Sequence, residues 1–80
     1  MRLDKYLKIS RIIKRRTVAN EACDQGRVTV NGKPAKASYD VKVGDVLELK
    51  FGEKVMRARV VRVAEHAGKG EAAELYEVLP

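Results

Sequence analysis

Residues 26–32, Gly26-Arg27-Val28-Thr29-Val30-Asn31-Gly32, mark where the hydrophobic period of this sequence changes. Before them, apolar residues recur every three or four positions. After them, apolar and polar residues alternate. Val28 and Val30 flank Thr29 with the two-residue period of a half-buried strand. Asn31-Gly32 supplies two residues that tolerate positive φ, which the tight hairpin turn requires at both central positions. Gly26 is the residue on which a preceding helix stops in a left-handed cap. The stretch therefore reads as helix end, strand, then hairpin.

Working back from Gly26, Val18, Ala19, Ala22 and Cys23 form one stripe and predict a helix over about residues 15–25. Their small side chains imply close packing against another element. Ser10 to Lys14 reads as a connection anchored by Ile12 and Ile13. Leu3, Tyr6 and Leu7 stand at i, i+3 and i+4 and predict a short amphipathic helix over residues 2–9, with Arg2, Lys5 and Lys8 on the opposite side. A helix of that length is not stable alone, so it must dock.

Working forward, Pro34 to Ser38 is expected to be the return strand of the hairpin, with Ala35 and Ala37 on one face. Val43-Gly44-Asp45 is a turn into a strand over residues 46–51, where Leu47, Leu49 and Phe51 alternate with Glu48 and Lys50. Tyr6 and Phe51 sit on apolar stripes and are expected in the core. Gly52-Glu53 turns the chain into a strand over residues 55–63, whose phase slips at Val60-Val61 in the manner of a bulge. His66 to Gly70 is a loop, Glu71 to Leu75 favours a helical turn, and Tyr76 to Leu79 favours a strand. The expected fold class is α+β, with two short N-terminal helices followed by a small antiparallel sheet of four to five strands. Residues 1–80 are expected to be one domain, since 80 residues support one small core and no more.

Charge placement carries the functional reading. The chain holds 17 Lys and Arg against 11 Asp and Glu, a net charge of +6. Residues 1–16 contain Arg2, Lys5, Lys8, Arg11, Lys14, Arg15 and Arg16 against Asp4 alone, which is already +6. The remaining residues balance to zero. A charge focused on one-fifth of a chain projects a local field that draws polyanions. No run of apolar residues is long enough for a secretory segment or a membrane span. The one cysteine, Cys23, allows no internal disulfide, so a cytosolic setting is expected.

The ordered set Arg2-Leu3-Asp4-x-x-Leu7, Arg16-x-x-Ala19, Gly26-x-Val28-x-Val30-Asn31-Gly32 and Val43-Gly44-Asp45 resembles the S-four RNA-binding domain, also called the alpha-L motif. No single piece is specific; the order is. Within that family, Met1 to Lys8, Ser10 to Thr17 and the tail Glu71 to Tyr76 are similar to the ribosome-associated quality-control branch, the RqcP proteins. The resemblance implies binding to large-subunit ribosomal RNA and tRNA on obstructed large subunits. It also implies assistance to the NFACT-type protein RqcH in adding alanine tails to stalled chains. A heat-shock-type recycling factor of the same family is the near alternative, and a basic protein-interaction adaptor is a third reading. Many members carry Ser before the arginine that opens the second helix. Here the place is held by Arg15, which weakens the cap by about 1 kcal/mol and adds a cation.

Folded RNA presents phosphates and 2′-hydroxyls more accessibly than base edges. Forked guanidinium donors on a rigid support suit such a target. Arg2, Lys5, Arg15 and Arg16 are expected as the main contacts, with Lys8, Arg11 and Lys14 supporting. Asp4 is expected either to orient one of the arginines or simply to suit the positive end of the helix from its first turn. Lys33 and Lys36 extend the patch, while Arg57, Arg59 and Arg62 read as a solvated strand face. Single-strand stacking platforms need exposed aromatics, and the chain has four: Tyr6, Tyr39, Phe51 and Tyr76. Enzyme chemistry is not expected: Cys23 reads as a buried hydrophobe, His66 as a loop residue, and no spacing suits a metal or cofactor. A monomer is expected.

Overall fold

The computed structural model describes residues 1–80. The first helix, α1, spans Leu3–Ile9 and buries Leu3, Tyr6 and Leu7 completely. Its start is held from outside: the Leu3 amide donates to the Tyr39 carbonyl at 2.8 Å and the Asp4 amide to the Ala37 carbonyl at 3.2 Å. These bonds occupy donors that every helix start leaves free. The other end closes on Arg11, whose φ of +61° is left-handed. Glycine usually takes that role, because a Cβ there costs roughly 1 kcal/mol.

The second helix, α2, spans Arg16–Asp24 and buries Ala19 and Cys23 against α1. It stops as expected. Gly26 takes φ +73°, its amide donates to the Cys23 carbonyl, and the Arg27 amide reaches back to the Ala22 carbonyl. That pair of bonds is the Schellman closure.

Five antiparallel strands follow: β1 at Val28–Val30, β2 at Lys33–Pro34, β3 at Val46–Phe51, β4 at Lys54–Val60 and β5 at Tyr76–Leu79. Their order in the sheet is β2-β1-β3-β4-β5. Asn31 (φ +52°) and Gly32 (φ +85°) make the tight turn. The Asn31 side chain also clamps β1 to β3, accepting from the Val46 amide at 2.9 Å and donating to Asp45 at 3.1 Å. A one-turn helix, α3, at Lys69–Ala72 precedes β5. Both readings of the tail are therefore realised in sequence, helical turn first and strand after.

Two expectations are corrected. The return strand is Lys33–Pro34 only, because the carbonyls of Ala37 and Tyr39 are drawn off to cap α1. Phe51 is not core: it is 43% exposed, since β3 runs past the end of the helical layer that covers Leu47 and Leu49. The phase slip has a physical form: the Val61 and Arg62 amides both donate to the Leu75 carbonyl, the pattern of a bulge, and β4 ends there. The same Leu75 carbonyl accepts the buried Tyr6 hydroxyl at 2.7 Å and ties α1 to the residue just before the last strand.

Candidate nucleic-acid interface

Asp4 is 2% exposed, an unusual position for a carboxylate. It is there because donors converge on it. Arg2 Nε donates to Oδ1 at 3.1 Å and Arg2 Nη2 to Oδ2 at 3.3 Å. The Lys5 amide donates to Oδ1 at 2.8 Å, and Asn20 Nδ2 to Oδ2 at 3.1 Å. Arg16 Nη2 stands 3.5 Å from Oδ1. Burial alone would raise the Asp4 pKa. The Arg2 and Asn20 hydrogen bonds, the Arg16 charge and the Lys5 amide outweigh it and hold the carboxyl below its usual value.

One carboxylate therefore orients two arginines, one from the start of α1 and one from the start of α2. Both guanidiniums remain about half exposed, at 50% and 46% of their side-chain surface. Each is fixed on its inner edge and open on its outer edge. With five N–H donors in a planar fork, each keeps donors free for an incoming anion. A held arginine loses less rotamer entropy on binding than a free one.

The other candidates divide. Arg15 caps α2 in an extended conformation with no side-chain cap, and it is exposed. Lys8, Arg11 and Lys14 are exposed on the far end of α1 and in the connection after it, without an acidic partner within 4 Å. Lys5 differs: its ammonium pairs with Glu65, and the pair lowers the Glu65 pKa. Lys33 and Lys36 lie exposed at the hairpin and just beyond it; Lys36 shares a groove with Arg2 and Ala37, and Lys33 does not. Arg57 and Arg59 pair across the sheet with Glu48 and Glu77, as a solvated strand face does. Cys23 is buried, and burial together with Asp4 and Asp24 pushes its thiol up to about 11. No group of three or more His, Cys, Asp or Glu side chains gathers as a metal site would require.

Against known proteins, the S4 domain family matches residues 1–47, more than half of the chain. The chain belongs to the S4 domain family. This S4 domain is 56% identical over 78 residues to the RQC P-site tRNA stabilizing factor of Halalkalibacterium halodurans, covering 98% of this chain and 89% of that protein. It is 53% identical over 79 residues to the protein of the same name from Bacillus subtilis, covering 99% and 92%. Its fold matches the trimeric structure of Vibrio cholerae Heat Shock Protein 15 with a TM-score of 0.91 and 31% identity, over 99% of this chain and 81% of that one.

Two residues of this surface escaped the sequence reading. Asn20 lies four positions after Arg16, so the two share a face of α2, and that spacing was the available signal. Glu65 pairs with Lys5 across 60 positions, and nothing local announces it.

Proposed function

We propose that this S4 domain is a non-enzymatic RNA-binding factor of ribosome-associated quality control. On this reading it binds large-subunit ribosomal RNA and P-site tRNA on obstructed large subunits, in the cytoplasm. It assists an NFACT-type RqcH protein in alanine tailing of the stalled chain. Near-full-length identity above half to two proteins named RQC P-site tRNA stabilizing factor supports the setting. The observation that carries the chemistry is the Asp4-held pair Arg2 and Arg16, half exposed and pointing one donor surface outward. Arg15, Lys8, Arg11 and Lys14 continue that surface, and Lys5 lies between them. The role is to hold RNA in place, and every contact it needs is a phosphate or hydroxyl contact, which favours shape over sequence.

The test is pull-down of the tagged wild-type chain and an Arg2→Ala/Arg16→Ala variant from cytosol, followed by identification of RNA and protein. Large-subunit RNA, tRNA and an NFACT-type protein with wild type, all lost with the variant, support the proposal. Large subunits without tRNA or that protein favour a recycling factor of the heat-shock type, the reading that the match to Heat Shock Protein 15 supports. An absence of ribosomal RNA refutes both.

A further inference from the structure

The C-terminal end of α1, the connection after it and the loop at residues 65–68 enclose an open groove of about 630 Å³. Three cations line one wall: Lys8, Arg11 and Lys14. The only acid on the other wall is Glu65, and Lys5 already neutralises it. The groove thus carries three positive charges with no compensating partner. It shares no residue with the pocket around Asp4, Arg16 and Asn20.

Three further features point the same way. Arg11 is held in a left-handed backbone conformation that arginine adopts at a cost, which aims its side chain from a fixed support. The amides of Ala67 and Gly68 donate to no acceptor in the chain. Gly68 has no side chain of its own to keep a ligand off that backbone, although Glu71 Oε1 stands 3.6 Å from where its Cβ would be. Cations on one wall and free N–H donors on the other make a site for a phosphate oxygen. The volume exceeds what a bare anion needs and lies in the range that holds a nucleotide-sized group.

We infer that this groove is a second phosphate subsite, taking a phosphodiester of the bound RNA next to the one at Arg2 and Arg16. The Lys5–Glu65 pair stands between the two as a bridge from α1 to the loop. The inference rests on the RNA-binding reading and adds a location to it. Glu65 then works against binding by its charge, and Lys5 offsets it.

The test is titration of a structured RNA hairpin into the purified full chain at several salt concentrations. Three proteins are compared: wild type, Lys8→Ala/Arg11→Ala/Lys14→Ala, and Glu65→Gln. All altered side chains are exposed, and circular dichroism confirms folding. Each lost phosphate contact lowers the slope of log K against log salt by about 0.7–0.9. The triple variant, which loses that one phosphate contact, is expected to lose about 0.7–0.9 of slope and at least tenfold in affinity at low salt. Glu65→Gln is expected to bind at least as tightly as wild type. In amide NMR spectra, the wild-type Ala67 and Gly68 signals are expected to shift with RNA, and those of the triple variant to stay in place. A triple variant with wild-type slope and affinity, or unmoved Ala67 and Gly68 signals in wild type, overturns the subsite while leaving RNA binding intact. Failure of wild type to bind the hairpin even at low salt overturns the RNA reading and the subsite together.

Discussion

Asp4→Asn is the perturbation that tests the hub most directly. The substitution keeps the shape and removes the charge. An amide presents one acceptor and one donor where the carboxylate presented two acceptors. Four N–H groups now converge there within 3.3 Å, from Arg2 (twice), Lys5 and Asn20. At least one must face the new NH2. Hydrogen bonds to a charged group contribute about 1.5–3 kcal/mol each at most. Arg2 and Arg16 are about half exposed, so water takes over most of what they lose. The expected net loss is about 2 kcal/mol, or a fall in Tm of about 8–16 °C for a domain of this size.

The pH dependence has a definite sign. The folded-state pKa of Asp4 lies below its ordinary 3.8, so the proton prefers the unfolded chain. The stabilisation is fully present above the unfolded value and is lost as pH falls through the folded one. Urea unfolding of both proteins from pH 7 down to pH 2 is the assay. The gap between them is expected to be constant near neutrality and to narrow below about pH 4, where the wild-type carboxylate takes up its proton. A variant as stable as wild type at pH 7, or a gap that does not narrow in acid, refutes the claim that an ionised Asp4 holds the arginines.

Further outcomes follow from other contacts. Arg11→Gly relieves the left-handed strain and is expected to raise Tm by a few degrees, about 0.5–1 kcal/mol, while weakening RNA binding; a lower Tm counts against the cap assignment. Asn31→Ala loses both a residue suited to φ +52° and the bonds to Val46 and Asp45, so thermal melts should show a loss of about 2 kcal/mol, with Asn31→Gly milder because it keeps the backbone freedom. Cys23, buried and with its thiol pushed up to about 11, is expected to resist iodoacetamide at pH 8 in the folded chain and to react in urea; fast alkylation of the native protein would contradict its burial.

The fold was legible where one residue type meets one local demand. Gly26 ends a helix, Asn31-Gly32 turns a hairpin, and Leu3, Tyr6 and Leu7 define a buried face; each signal is contained within a few residues. What the sequence concealed depends on partners far along the chain. The return strand was cut to Lys33–Pro34 because carbonyls of residues 37 and 39 serve α1 instead. Phe51 alternates like a core residue and is exposed because nothing covers the end of β3. The interface divides the same way. The concentration of cations in residues 1–16 was visible, and so was the idea that Asp4 orients an arginine. That it holds two, with Asn20 completing the set, follows from the crossing of α1 and α2. Lys5 looked as free as its neighbours, but Glu65 reaches it from beyond the fourth strand.

The hydrogen bond from Tyr6 to the Leu75 carbonyl sets an order of events during synthesis. α1 is the first element to be made, yet at seven residues it has little stability of its own. Its start waits for the carbonyls of residues 37 and 39, and its centre waits for residue 75. The segment that carries the cations therefore becomes a rigid surface only once residue 75 is free to reach it. A nascent copy whose residue 75 is not yet free has the cations of residues 1–16 without the support that fixes them.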